Sequence, residues 1–351
     1  MKIPKHLPEH LWPAADRAAF DAAYVAGDIF DETAGPGAHL AEGTRKLIKT
    51  AYRRWLGFLR AQHGRDLELP PAARITRERV RQFIEYIGET RPTSVAIAID
   101  NLYFAARLIS PASDWNWLRL ARSRLIACAR PEDRFPVLVA PWLTLELGLE
   151  LMDGAAGRSQ SGHSEQEIQY RDGLILALLS VWPIRRRSIA ALTITRHIEV
   201  SDAGIDILLG AADTKGKRAE DFSVPQFLAP YVRHYLGKVR PRLLGHCVHD
   251  GLWVSYGGGQ LSPGRIYDIV RARIFARFGK RMGLHDFRRA AATFLAISAP
   301  EKVGLTPGIL QHASPNVSER HYNQARSVQA SERYAAHLAE TRARLRRIAK
   351  R

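Results

Sequence analysis

The sequence predicts a mainly α protein with a small β-sheet, an α+β fold built from more than one domain. Three observations carry this. Apolar residues recur at helical spacing through most of the chain. Short β-branched runs bounded by turn residues cluster only between residues 197 and 224. A length of 351 residues also suggests two or three domains. The hydrophobic fraction of 46% is ordinary for a globular chain, so each domain can bury a core.

Residues 1–40 are rich in Pro, Ala, Gly and His and read as a poorly ordered N-terminal arm with one short helix around Ala14–Val25. A helical domain follows over 41–130. Ile48, Tyr52, Trp55, Leu56 and Leu59 line one helix face, with Arg53 and Arg54 on the polar side. Thr76 is an N-cap, with Ile75 and Val80 at the spacing of a hydrophobic staple, and Gly88 stops that helix. A third helix is expected over Val95–Leu108 and a fourth over Trp115–Ala129, the last carrying Arg119, Arg122 and Arg124. The stretch 131–140 opens with Pro131 and Pro136 among mixed charges and reads as a linker.

Residues 141–329 read as the mixed domain. Leu143–Met152 is helical, Asp153–His163 a Gly/Ser-rich loop and Ile168–Val181 a buried helix. Strands are expected at His197–Val200, Ile205–Leu209 and Phe222–Val224. Ser201–Gly204 forms the first turn, and Lys215-Gly-Lys217 sits at the second. Helices resume from Leu228, and Ser262-Pro263 marks a helix start. Residues 330–351 read as a basic C-terminal helix.

Lys and Arg number 52 against 35 Asp and Glu, a net charge of +17, with a pI near 10.2. Such a surface attracts polyanions, nucleic acid first and anionic membrane second. Cys128 and Cys247 are the only cysteines, and nothing suggests a disulfide framework or zinc finger. The start MKIPKHLPEH has no apolar h-region, and no apolar run approaches about 20 residues, so neither a signal peptide nor a membrane span is expected. The reading is a cytoplasmic, strongly basic protein.

Three segments could carry chemistry: Trp182-Pro-Ile-Arg-Arg-Arg-Ser-Ile-Ala-Ala-Leu192, Leu284-His-Asp-Phe-Arg-Arg289, and Leu310-Gln-His312 running on to Arg320-His-Tyr-Asn323. Singly, each has a plainer reading. An arginine cluster is usually a solvated face, and His285 with Arg288 is a common i, i+3 pair. A metal site from His285, His312 and His321 lacks close ligand pairs and a carboxylate motif, so no metal is expected. Gly257-Gly258-Gly259 lacks the Lys-Ser/Thr ending of a phosphate loop and reads as a turn.

Together, in this order and spacing, the segments resemble the tyrosine recombinase (phage integrase) family over residues 140–325. Arg185 stands at the family's first arginine, with Pro183 at its Gly position and Ser188 where an acid is usual. His285-Asp-Phe-Arg288 matches the His-x-x-Arg box. Leu310-Gln-His312 matches Leu-Gly-His, with Gln311 for Gly. Tyr322, ten residues beyond His312, matches the nucleophile, and Lys215 ahead of Ser-Val-Pro225 matches the hairpin lysine.

The resemblance implies a core-binding helical (SAM-like) domain followed by a catalytic domain. It implies cleavage and rejoining of double-stranded DNA through a 3′-phosphotyrosyl link, with no cofactor. Arg185 and Arg288 would hold the phosphate oxygens, Tyr322 would attack, His285 would act as base, Lys215 as acid, and His312 as a hydrogen-bond donor. It also implies a homotetramer on DNA, accessory DNA-bending proteins as partners, and no membrane. Arg53, Arg54, Arg119, Arg122, Arg186, Arg187, Lys217 and Arg289 are the expected DNA contacts. Two alternatives share the residues: a type IB topoisomerase, which would relax plasmid without site preference, and a DNA-binding protein with a silent site.

Overall fold

The computed structural model describes residues 6–28, 30–31, 33–88, 91–129, 133–156, 163–214 and 219–298. Lys215, Lys217, His312, Tyr322 and the expected C-terminal helix lie outside them. The fold is mainly α with a small antiparallel sheet, as expected. The chain divides into two compact units, Met1–Glu132 and Asp133–Arg351.

The first unit is helical: α1 (Ala14–Ala23), α2 (Glu42–Gln62), α3 (Arg77–Ile87), α4 (Pro92–Ile109) and α5 (Asn116–Cys128). The apolar stripe of α2 is buried, with Tyr52, Trp55, Leu56 and Leu59 fully covered. Thr76 caps α3, its side-chain oxygen accepting from the Arg79 N–H at 3.2 Å. Pro92 starts α4 at the first turn, where a missing N–H costs nothing.

Residues 6–40 depart from the arm read from composition. Leu7, Trp12, Phe20 and Ala23 are buried in the same core as α2 and α4. The Leu7 N–H donates to the Arg53 carbonyl at 2.9 Å, and Trp12 Nε1 to the Leu7 carbonyl at 3.0 Å. Asp16 is fully buried beneath this segment. It accepts two bonds from Arg74 Nη1, at 2.9 and 2.8 Å, and one from the Tyr52 hydroxyl at 2.5 Å. A buried carboxylate persists only with such partners. Four well-spaced apolar residues and one acid thus fix a segment whose average composition suggests disorder.

The second unit is organised around α7 (His163–Val181), buried on every side from Arg171 to Leu179. It packs against α6 (Pro141–Ala156) through two glycines. A Cβ at Gly148 would stand 2.7 Å from the Gly173 carbonyl oxygen, and one at Gly173 would stand 2.6 Å from that of Gly148. Only bare backbone lets the helices approach so closely. Both helices extend into the expected Asp153–His163 loop, α6 to Ala156 and α7 from His163.

Among the described residues one stretch, Phe135–Ala155, is long and apolar enough to cross a membrane by length and composition alone. Its α6 portion places Leu147, Met152 and Ala155 in the core of the unit.

Two short helices follow α7, α8 (Arg186–Ala191) and α9 (Ile194–His197), and then a meander of β1 (Ile198–Val200), β2 (Ile205–Leu209) and β3 (Glu220–Ser223). Ile207 pairs with Ile198 on one side and Phe222 on the other, and Leu209 pairs with Glu220. The strands lie within two residues of their expected ends. A bent helical run over α10 (Ala229–His234), a π turn (Tyr235–Val239) and α11 (Arg240–Leu244) comes next. The unit then adds α12 (Pro263–Phe278), capped by Ser262 and closed by left-handed Gly279, and α13 (Leu284–Ser298).

Candidate active site

The site is built on the break between α7 and α8. Pro183 disfavours the helical conformation at Trp182, α7 ends at Val181, and the chain is extended at Arg185, the N-cap position of α8. Three contacts pin this short segment. Arg288 Nη1, from α13, donates to the Pro183 carbonyl at 2.7 Å. Trp182 stacks on Phe222 of β3, with ring centroids 4.7 Å apart and planes 3° from parallel. Arg185 Nη1 lies 3.7 Å from Glu220 Oε1, also on β3.

Arg185 and Arg288 therefore meet, although they come from segments more than a hundred residues apart. They differ in exposure. The Arg185 side chain is about one-third exposed, while Arg288 is buried. Burial pushes the Arg288 guanidinium down, the Arg185 charge pushes it further, and Glu220 opposes both, leaving it at about 10. It stays charged at neutral pH. Such a pair, with one fork fixed and one open to solvent, can grip the oxygens of a phosphate.

His285 lies one helical turn before Arg288 on α13, and its side chain is exposed. The start of α13 is set by Asp286. Its carboxylate accepts from the Gly283 N–H at 2.9 Å and from Arg134 at 2.8 Å, and Arg289 is paired with it at 3.2 Å. Burial raises the Asp286 pKa, but the Arg134 and Gly283 hydrogen bonds outweigh it and leave the carboxyl below its usual range.

Lys215 belongs to the connection between β2 and β3 and is outside the described residues, as are His312 and Tyr322. The root of that connection is held firmly. The Ser188 hydroxyl donates to the Asp213 carbonyl at 3.5 Å, and the Asp213 carboxylate pairs with Arg196 and lies 3.4 Å from His197 Nε2.

Among the expected phosphate-contacting arginines, Arg119, Arg186 and Arg187 are exposed. Arg122 is engaged within its own unit, paired with Asp100 beneath the rings of Tyr103 and Phe104. Arg53 and Arg54 are half-buried. Arg289 is tied to Asp286. No group of three or more His, Cys, Asp or Glu side chains able to hold a metal occurs among the described residues.

One residue of the cluster escapes sequence reasoning: Glu220. Its motif signal is weak, because it precedes the run Phe222–Val224. Alternation along the strand nevertheless puts Glu220 on the face of Phe222 and Val224.

No family model matches the chain. A curated sequence, tyrosine recombinase XerD of Chlorobaculum tepidum, is 27% identical over 155 residues, 44% of this chain and 47% of the relative. The match thus spans about half the length of that relative. Two solved structures share the architecture. XerH site-specific recombinase bound to difH substrate, a pre-cleavage complex, has a TM-score of 0.57 at 16% identity, covering 90% of this chain and 94% of that one. The XerH post-cleavage complex with a palindromic difH substrate has a TM-score of 0.53 at 18% identity, covering 80% and 75%. The chain thus shares the fold of these two structures, and over less than half its length its sequence is similar to a tyrosine recombinase.

Proposed function

We propose that this protein is a site-specific DNA recombinase that cleaves and rejoins strands through a 3′-phosphotyrosyl intermediate. The observation that carries the reading is the convergence of Arg185 and Arg288, two guanidiniums from distant segments on one small cluster. The net charge of +17 and the relatedness to recombinases support it.

In this reading Arg185 and Arg288 bind the non-bridging oxygens of the scissile phosphate and stabilise the extra negative charge of the phosphorane-like transition state. The Tyr322 hydroxyl attacks phosphorus. Its proton passes to His285, and its poor reactivity near an ordinary pKa of about 10 is relieved by the surrounding positive charge. The bond from phosphorus to the 5′-oxygen breaks, and Lys215 gives that oxygen a proton. His312 hydrogen-bonds a non-bridging oxygen. The phosphotyrosyl ester conserves the bond energy, so a 5′-hydroxyl can reverse the reaction without ATP. Exposed arginines of both units supply phosphate contacts to duplex DNA. Four protomers on two DNA sites, assisted by DNA-bending proteins inside the cell, would complete an exchange.

The test uses a pool of nicked duplexes of randomised sequence, from which the strand downstream of the cut is lost. Wild-type protein is expected to give an SDS-resistant protein–DNA adduct joined through a 3′-phosphate. Tyr322→Phe should give none. An adduct that persists in Tyr322→Phe would overturn the nucleophile assignment, and absence of any wild-type adduct would overturn the function.

A further inference from the structure

We infer that Glu220 of β3 is a positioning residue that supplies the carboxylate this chain lacks at Ser188, holding Arg185 against Arg288 for the phosphate. The inference rests on the recombinase reading above.

The argument begins at Ser188. One turn into α8 from Arg185, a longer acidic side chain could reach back to a guanidinium. Ser188 instead is buried and turns its short hydroxyl to the Asp213 carbonyl. It brings no charge to the arginines. Two guanidiniums placed together without a carboxylate repel each other, and one of them has lost most of its water. Nothing would then keep the more exposed Arg185 in place before the substrate arrives.

Glu220 sits where it can do this. It is an acidic side chain on the inner face of a sheet whose other inner residues are Ile205, Ile207, Leu209 and Phe222. An ionised carboxylate on such a face is costly unless paired. It lies 3.7 Å from Arg185 and within electrostatic reach of Arg288. Two residues along the same strand face, Phe222 stacks on Trp182, in the segment that ends at Arg185. β3 therefore grips this segment twice, once by stacking and once by charge. The neighbouring Asp221 points the other way and is exposed, which makes it an internal control.

The experiment measures single-turnover adduct formation on a nicked duplex recovered from the randomised pool, with duplex affinity measured in parallel. Glu220→Gln keeps the shape and removes the charge. It should slow adduct formation about 10- to 100-fold, the usual effect of losing a partner that orients a functional group, with little change in affinity. Asp221→Asn should stay within about twofold of wild type, as surface changes usually do.

Residues acting as one unit are strongly non-additive, so adding Glu220→Gln to Arg185→Lys should slow the reaction by less than about threefold further. A wild-type rate in Glu220→Gln, or effects that multiply in the double variant, would overturn the inference while leaving the recombinase reading intact. A wild-type protein that forms no adduct overturns both. If Glu220→Gln does not fold, Glu220→Asp decides the question, since it keeps the charge and shortens the reach. A severalfold slower rate at unchanged affinity supports the inference, and a wild-type rate overturns it.

Discussion

Arg288 and Arg74 are both buried arginines, and their surroundings give them different consequences. Burial and then the Arg185 charge lower Arg288 to about 10, below the ordinary arginine range. A base whose folded pKa is depressed is disfavoured as a cation in the fold. Its cost to stability is present at neutral pH and is relieved as pH rises past about 10 toward the ordinary arginine range. Under the proposed function, its grip on a phosphate would change in the opposite direction. Adduct formation should therefore fall as pH rises past about 10, where Arg288 loses its proton, and an adduct assay across the alkaline range reads the limb directly. Arg74 instead neutralises the fully buried Asp16. Arg74→Ala would leave that carboxylate unpaired and should cost about 3–5 kcal/mol of unfolding free energy in the first unit, seen in denaturant melts.

At the scale of elements, the α6–α7 contact depends on having no side chain at Gly148 and Gly173. Gly173→Ala should lower the denaturant midpoint of the second unit, at a cost of about 1–3 kcal/mol for overpacking. The same scale shows what local pattern reveals. The helices with strong apolar periodicity, α2 and α3, were legible together with the Thr76 cap, and so were three strands bounded by turn residues. Arg185, His285 and Arg288 could be singled out as candidates because each falls in a short box of fixed spacing, and the fold brings Arg185 near Arg288. Glu220 was not, since its importance comes from pairing across the fold, and spacing along the chain carries no trace of it. The described residues among the first forty were misread for a related reason. Composition averages over Pro, Ala and Gly, whereas burial depends on where Leu7, Trp12 and Phe20 fall. The α6 and α7 ends were misjudged because Gly and Ser are weak helix formers that tertiary packing overrides.

For the whole molecule, a charge of +17 makes polyanion binding sensitive to salt. If exposed arginines such as Arg119, Arg186 and Arg187 join others in six to ten phosphate contacts, duplex affinity should drop about 10³- to 10⁵-fold between 50 and 200 mM salt. A fluorescence-anisotropy titration at several salt concentrations would measure the slope, and a shallow one would mean far fewer contacts. The two-point grip of β3 also limits how this chain can change length over evolution. Extra residues between Leu209 and Glu220 add little closure entropy and leave the pairing alone. Removing a single residue within β3 is a different event, because it would reverse which side chains face inward. Glu220 and Phe222 would then leave the arginine segment together. Relatives of this chain should therefore vary freely in the length of that connection and keep strict phase in the strand that follows it.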